Sequence, residues 1–268
     1  MIAFVDDGVF NTSSIECYSL TQGYRLSVSN ARVIVFEDKS HLAEAAAARI
    51  AEVLAGTDGD RVTLGLAGGS TPAETYRRLR SESVDWGRVD AWLSDERWVA
   101  HDHLDCNGRM AAELLMDHVE ARFFRPRWAL WLTPADSAAH YEADLRTIHP
   151  DGRANLILLG MGPDGHTASL FPGTSALEAP SHRWFVANHV PQIDRDRLTA
   201  TYAFLRRARD VFFLVAGEDK APALRQVLEA RDDEEVLPAA GVMAGDAEVT
   251  WFVDEAAASQ LSATITDV

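Results

Sequence analysis

A glycine-rich loop carries the histidine whose position best suits proton transfer. The loop spans residues 160–173, directly after the apolar run at residues 155–159, and reads GMGPDGHTASLFPG. His166 stands in this loop two residues after Asp164. Because imidazole titrates near neutral pH, a histidine at the end of a strand can act as a general base. The alternative is that His166 only maintains the shape of the loop through hydrogen bonds.

A second glycine-rich turn has residue types that can bind phosphate. It follows the apolar run at residues 62–66, and its candidate ligands are Gly68, Gly69, Ser70 and Thr71. Glycines let the backbone approach an anion closely, and the N–H groups at the start of a helix attract phosphate. The alternative is a capping box, in which Thr71 caps a helix, Pro72 is its first residue and Glu74 closes the box. The turn matches neither the Walker motif nor the dinucleotide-binding GxGxxG motif.

Charged side chains follow other predicted strands. Asp95 and Arg97 come after the third strand, Lys220 follows a late strand, and Arg197 directly precedes a short one. Guanidinium and ammonium groups bind phosphate, so we expect Arg97, Arg197 and Lys220 to gather around one phosphate at an edge of the sheet. The alternative for the triplet containing Asp95 and Arg97 is a solvated charge cluster.

Apolar runs alternate with helical segments along most of the chain. The predicted strands span residues 33–36, 62–66, 90–94, 128–132, 155–159, 184–190, 198–202, 211–215 and 248–253. The main predicted helices cover residues 40–54, with Ser40 as the cap, then 71–80, 110–118, 135–148 and 221–230. Continuous apolar strands, each followed by a helix, predict an α/β fold: a single doubly wound, mostly parallel sheet with helices on both faces. Ligands of such sheets bind beyond the carboxyl ends of the strands, where the motifs above are expected.

The first thirty residues differ in character from the rest of the chain. Residues 1–30 show neither helical periodicity nor clear strand alternation, and they contain clusters of turn-forming residues. We interpret them as a poorly specified N-terminal extension. Residues 31–268 are then expected to form one α/β domain, because no Pro/Gly/Ser-rich linker divides them.

Composition excludes several classes of protein. The chain has 268 residues, 47% of them hydrophobic, which rules out global disorder, and its formal net charge is −16. So acidic a chain has no general attraction for nucleic acid or anionic membranes, and we expect neither as a partner. No apolar run is long enough to span a membrane, and no basic residue precedes Arg25 as a secretory signal requires. We therefore expect a cytoplasmic protein.

Metal-dependent and covalent chemistry find little support in the sequence. His101, Asp102, His103, Asp105 and Cys106 have residue types that suit zinc, but neighbours in a loop rarely form a closed site, so we favour a solvated loop and expect no metal. The chain lacks the GxSxG motif that surrounds a serine nucleophile. The chemistry these residues favour is therefore direct attack by water.

Four motifs together resemble the 6-phosphogluconolactonase family. They are LAGGSTP at residues 66–72, LSDERWV at 93–99, the histidine loop at 160–173 and GEDK at 217–220. The resemblance runs from about residue 31 to the end of the chain, and the histidine loop is its most specific part. The glycine turn is shared more widely, with the glucosamine and galactosamine 6-phosphate isomerases of the same superfamily.

The resemblance implies an activity and a role for each matching residue. The family hydrolyses 6-phosphoglucono-δ-lactone to 6-phosphogluconate in the oxidative pentose phosphate pathway, without a metal or another cofactor. By motif position, His166 is similar to the general base, and Asp164 and Asp95 to the acids that line the site. The implied ligands of substrate and phosphate are Arg97, Arg197, Lys220, Gly68, Gly69, Ser70 and Thr71. We expect a monomer or a weak homodimer. Cys106 departs from the serine that the family often has.

Two other functions remain open from the sequence. An amino-sugar-phosphate isomerase or deaminase would resemble this chain, but that family has Asp-Glu-Tyr where this chain has Asp95-Glu96-Arg97. A sugar-phosphate sensor without catalysis is the other alternative. Such sensors usually adjoin a DNA-binding helix-turn-helix, and residues 1–30 are too short and too acidic to supply one.

Overall fold

Eleven strands form two sheets in the computed structural model, which describes residues 23–28, 31–231 and 233–262. The strands are β1 (Gly23–Val28), β2 (Ala31–Phe36), β3 (Val62–Leu66), β4 (Val89–Leu93), β5 (Asp95–Arg97), β6 (Arg122–Phe124), β7 (Leu156–Leu159), β8 (Phe185–Val190), β9 (Arg195–Ala200), β10 (Asp210–Val215) and β11 (Glu248–Asp254). The larger sheet has the order β1-β2-β11-β10-β7-β3-β4-β6. Its described pairs are parallel, apart from the antiparallel pair β1–β2. The predicted α/β class is confirmed.

Helices cover both faces of the larger sheet because its strands are apolar on both faces. The helices are α1 (Lys39–Gly56), α2 (Ser70–Leu79), α3 (Asn107–Leu114), α4 (Pro134–Ile148), α5 (Tyr202–Leu205), α6 (Ala221–Glu229), α7 (Pro238–Val242) and α8 (Glu255–Ala258). In β7, Leu156 and Leu158 pack towards α1, α2 and α3, whereas Ile157 and Leu159 pack towards the other five helices. This alternation follows from the two-residue period of a strand. None of the described helices has the length and apolar character needed to cross a membrane.

A smaller antiparallel sheet, ordered β5-β9-β8, stands beside the larger one and was not predicted. Ser94 joins the two sheets directly after β4. Its N–H donates to the Leu66 carbonyl at 2.8 Å, and its carbonyl accepts from the Ala200 N–H at 2.8 Å. The smaller sheet therefore begins where β3 and β4 end, at the edge where ligands of parallel sheets bind.

The strand predicted at residues 128–132 is wrong. The strand in that region is β6, which ends at Phe124. Pro126 follows closely, and because proline has no N–H to donate, the chain leaves the sheet there. Leu130 and Trp131 lie in the loop beyond it, each 88% exposed. An apolar run alone did not distinguish this exposed loop from a buried strand.

Two smaller predictions also need correction. The cap of α1 is Asp38 rather than Ser40, because the Asp38 carboxylate accepts hydrogen bonds from the backbone N–H groups of Ser40 and His41. The strand predicted at residues 198–202 begins at Arg195 instead, since it pairs with β8 over six residues.

Most of the proposed N-terminal extension lies outside the described residues. The described part, β1, pairs with β2 over six residues and adds an antiparallel strand to the edge of the larger sheet. The sequence analysis did not predict this strand. The division of the chain into an extension and one domain stays a prediction.

Candidate active site

A cavity of about 240 Å³ lies at the carboxyl ends of β3, β7 and β10. The predicted site residues that line it are Gly68, Gly69, Ser70, Thr71, Asp95, Arg97, His166 and Lys220. Asp164 and Arg197 do not line the cavity. Asp164 contacts His166, and Arg197 stands opposite Arg97 in the pairing of β5 with β9. The structure therefore gathers, around one cavity, groups that are more than 150 residues apart in sequence.

The imidazole of His166 is held from two sides. Its Nδ1 lies 2.5 Å from Oδ1 of Asp164, and its ring stacks on Phe171 with 4.0 Å between the ring centroids. An ionised carboxylate can only accept hydrogen bonds, so Nδ1 carries the proton and Nε2 keeps its lone pair. The side chain is 27% exposed, which leaves it accessible from the cavity. This arrangement is the one a general base requires.

The charge state of Asp164 supports the same assignment. Partial burial alone would raise the pKa of Asp164, but the hydrogen bonds and the electrostatic interaction with His166 outweigh it and lower that pKa below its ordinary value. Asp164 is therefore ionised at neutral pH. A carboxylate in this place orients the imidazole and stabilises the imidazolium that forms when Nε2 takes up a proton.

Only glycine fits at position 162, because the imidazole of His166 leaves no space there for a side chain. A Cβ atom on Gly162 would lie 2.1 Å from the His166 Nδ1, far closer than any contact between non-bonded atoms. The Gly162 N–H donates to the His166 carbonyl at 2.9 Å, which closes the loop around the histidine. Gly165 has φ +73°, a left-handed conformation that glycine adopts without strain.

The far end of the histidine loop is tied to Asp95. The Ser169 hydroxyl donates to Oδ2 of Asp95 at 2.7 Å, and the Asn107 amide donates to Oδ1 of the same carboxylate at 3.2 Å. The Ser169 N–H donates to Oγ1 of Thr199 at 3.1 Å, which brings in β9. Sequence reasoning gave Ser169, Asn107 and Thr199 no role, because these hydrogen bonds join positions 12 to 74 residues apart.

The start of α2 is open towards the cavity. The helix begins at Ser70 with Gly69 as its cap, and no side chain accepts a hydrogen bond from its first N–H groups. The capping box that the sequence allowed is not formed, since Glu74 pairs with Arg77 and Arg78 instead. Free N–H groups at a helix start carry partial positive charge and attract anions.

Three cationic side chains lie at or next to the cavity. The Lys220 ammonium is paired with Asp219 at 2.8 Å and is 21% exposed. Arg97 donates from Nη1 to the Asp105 carbonyl at 2.7 Å. Arg197 is its cross-strand neighbour, and the Nε atoms of both arginines are buried with no partner among the described residues. Burial, and after it the charge of Arg97, lowers the pKa of Arg197. Two adjacent guanidinium groups with unused donors are suited to an anion.

The histidines near Cys106 take part in ordinary hydrogen bonds. Nε2 of His101 is 3.0 Å from the Pro126 carbonyl, and Nδ1 of His103 accepts from the Asp105 N–H at 3.0 Å. Within the part of the chain that the structure describes, no three His, Cys, Asp or Glu side chains cluster as a metal site would require.

Comparison with known proteins identifies the family. The model of the family described as glucosamine-6-phosphate isomerases/6-phosphogluconolactonase matches residues 37–251. A 6-phosphogluconolactonase of Nostoc sp. is 37% identical over 209 residues, covering 75% of this chain and 85% of its own length. One of Rattus norvegicus is 35% identical over 234 residues, covering 82% of this chain and 88% of its own length.

Solved structures show the same fold. A 6-phosphogluconolactonase from Shewanella baltica is 29% identical, with a TM-score of 0.74 over 85% of this chain and 99% of its own. The enzyme from Trypanosoma cruzi, at 24% identity, shares the fold with a TM-score of 0.79 over 89% of this chain and 99% of its own. The chain therefore belongs to the glucosamine-6-phosphate isomerase/6-phosphogluconolactonase family.

Proposed function

We propose that this chain hydrolyses 6-phospho-D-glucono-1,5-lactone to 6-phosphogluconate, a step of the oxidative pentose phosphate pathway. The observation that carries the proposal is the cavity that His166, which is hydrogen-bonded to Asp164, lines together with two cationic side chains and an uncapped helix start. The substrate is supported by the 6-phosphogluconolactonases that are 35–37% identical over most of this chain.

His166 is the general base of the proposed reaction. Nε2 takes a proton from water as the water oxygen bonds to C1 of the lactone and forms a tetrahedral oxyanion. The bond between C1 and the ring oxygen then breaks, and the imidazolium returns its proton to that oxygen. A general base contributes about 10²–10⁴ to the rate. Asp164 keeps Nδ1 protonated throughout, and Asp95 holds the loop of His166 in place through Ser169.

The phosphate of the substrate binds at the opposite side of the cavity from the reacting carbon. Its ligands are the open start of α2, formed by Gly68, Gly69, Ser70 and Thr71, with Lys220 and Arg97. Arg197 adds positive charge from behind Arg97. Binding energy from the phosphate orients the lactone for attack, which raises the rate at the distant reacting carbon.

The related isomerase activity is the second candidate, because the matching family includes it. An isomerase must remove a proton from carbon, whereas a lactone is an activated ester that needs only a positioned water. Arg97 lines the cavity where the isomerase motif has tyrosine, which favours the lactonase. A sensor without catalysis is disfavoured by the intact His166–Asp164 pair.

The decisive experiment measures acid release from freshly prepared lactone, corrected for spontaneous hydrolysis. We expect the protein to hydrolyse the lactone and to leave glucosamine 6-phosphate unchanged. His166→Ala should lower kcat by about 10²–10⁴ with an unchanged circular dichroism spectrum. His140→Ala, which alters an exposed histidine of α4, is the matched control and should keep full activity. A fully active His166→Ala protein would refute the proposed mechanism, and turnover of glucosamine 6-phosphate would refute the proposed substrate.

We further propose that the enzyme acts in the cytoplasm without a metal or another cofactor, as a monomer or a weak homodimer. Dialysis against a chelator, together with sedimentation of the purified protein, tests the metal and the oligomeric state.

A further inference from the structure

The acid between Asp95 and Arg97 faces away from the cavity. In β5, the two-residue period of a strand directs Asp95 and Arg97 into the cavity, and Glu96 to the opposite side. Glu96 is only 5% exposed, and it lies against the N-terminus of α3. Neither the mechanism above nor the sequence analysis uses this side chain.

The carboxylate of Glu96 is surrounded by donors. Oε1 accepts from the N–H groups of Arg97 at 2.8 Å and Asn107 at 2.7 Å. Oε2 accepts from the Gly108 N–H at 2.7 Å and from the thiol of Cys106 at 3.3 Å. Each of the two oxygens therefore accepts hydrogen bonds from two donors. Burial raises the pKa of Glu96, and the three backbone N–H groups oppose this change because they stabilise the ionised carboxylate.

The local cap of α3 is too weak to fix this helix by itself. Cys106 occupies the cap position, and its sulfur, a weak acceptor, accepts the Arg109 N–H at 3.4 Å. Burial raises the pKa of the Cys106 thiol to about 11, so the thiol stays protonated and donates to Glu96. The N–H groups of the first two residues of the helix, Asn107 and Gly108, are bound by Glu96, which belongs to another element.

Glu96 thereby fixes both segments that supply groups around Asp95 and Arg97. On one side it holds the backbone of Arg97, whose guanidinium lines the cavity. On the other side it holds Asn107, whose amide donates to the carbonyl and the carboxylate of Asp95. We propose that Glu96 is a positioning residue, which locks β5 to the start of α3 and so aims the guanidinium of Arg97 at the substrate. This inference rests on the proposed function.

Glu96→Gln tests the proposal because it keeps the size of the side chain and replaces one acceptor oxygen by a donor NH₂ group. Whichever way the amide turns, two of the four donors lose their acceptor. We expect kcat/KM for the lactone to fall by about 10–100-fold, as for a misplacement of about 1 Å, with most of the change in KM. If Glu96→Gln does not fold, Glu96→Asp replaces it, and we expect a severalfold rise in KM.

Glu142→Gln is the matched control. Glu142 is also a buried glutamate, 7% exposed, but it pairs with Arg146 and Arg183 away from the cavity. Its substitution should lower the melting temperature without changing KM. A purely structural role of Glu96 would give the same result as this control.

A double-mutant cycle with Arg97→Ala shows whether Glu96 acts through Arg97. In the Arg97→Ala background, Glu96→Gln should raise KM by less than twofold. An unchanged KM in the folded Glu96 variant, or an equal rise in both backgrounds, would overturn the proposal while the lactonase function stands. A wild-type protein without lactonase activity would overturn the proposed function, and this inference with it.

Discussion

Lysine is rare in this chain, and one of its two lysines lies at the cavity. Lys39 and Lys220 are the pair, and only Lys220 lines the proposed phosphate site. The two lysines therefore allow the loss of a lysine charge at the proposed site to be compared with the loss of a lysine charge outside it.

We predict that Lys220→Ala mainly raises KM for the lactone. The expected rise is about 10–100-fold, equivalent to the 1.5–3 kcal/mol of a hydrogen bond to a charged group, while kcat changes little. The reason is that Lys220 is a ligand of the phosphate in the proposed site, and the phosphate keeps its charge throughout the reaction. Steady-state kinetics of Lys220→Ala and of the control Lys39→Ala measure the difference. A large fall in kcat with KM unchanged would contradict this assignment.

Residue types and spacing predicted which side chains line the cavity better than they predicted the hydrogen bonds that hold them there. His166, Asp95, Arg97 and Lys220 follow strands in the sequence, and the rule for parallel sheets brings them together. No such rule exists for Glu96, whose proposed role depends on hydrogen bonds to Cys106, Asn107 and Gly108, ten to twelve residues away.

At the scale of elements, the shape of the histidine loop depends on a close approach at Gly162. We predict that Gly162→Ala lowers kcat by about 100-fold, because the new methyl group must displace the imidazole by about 1 Å or more. Stability should change little if the loop moves to accept the methyl group. Initial rates and thermal unfolding of the same preparation test both statements.

Gly173→Ala in the same loop is the control. Gly173 has φ +69°, but a Cβ atom there would meet nothing within 4 Å. The substitution should therefore cost about 1–2 kcal/mol of backbone strain while kcat is kept. Equal loss of activity in the two variants would show that loop strain, rather than contact with His166, is responsible.

Regular alternation of apolar strands with helices made the larger sheet predictable. The smaller sheet was not predicted, and the reason is physical. β5 has three polar residues, and it pairs with β9, about 100 residues further along the chain. Local apolar patterning carries no information on such a pairing. The sequence also left open whether the start of α2 is capped, because Thr71 and Glu74 match the capping-box pattern. In the structure they do not form the box.

At the scale of the whole molecule, a buried histidine makes stability depend on pH. His149 is 1% exposed and packs edge-on against Trp92 and Phe204. Burial lowers its pKa from 6.5 to about 4, although the hydrogen bond from Nδ1 to the Leu145 carbonyl opposes the change. The unfolded chain therefore binds a proton between these values while the folded chain does not.

We predict that the contribution of His149 to the free energy of unfolding is fully present above pH 6.5. This contribution falls by about 3 kcal/mol between pH 6.5 and pH 4. Denaturant unfolding at several pH values measures the slope. His149→Phe removes the titrating group and suits the aromatic surroundings, so its slope should be shallower. His140→Phe, on an exposed face, is the control, and identical slopes for wild type and His149→Phe would contradict the prediction.

The neighbouring guanidinium groups of Arg97 and Arg197 have a consequence for the lifetime of the protein. Without a bound anion, β5 and β9 hold like charges opposite each other, and this repulsion weakens the pairing of the small sheet. An anion placed between them turns repulsion into mutual attraction, so the occupied protein resists unfolding better than the empty one. We therefore expect that substrate bound at the proposed site slows proteolysis of the protein.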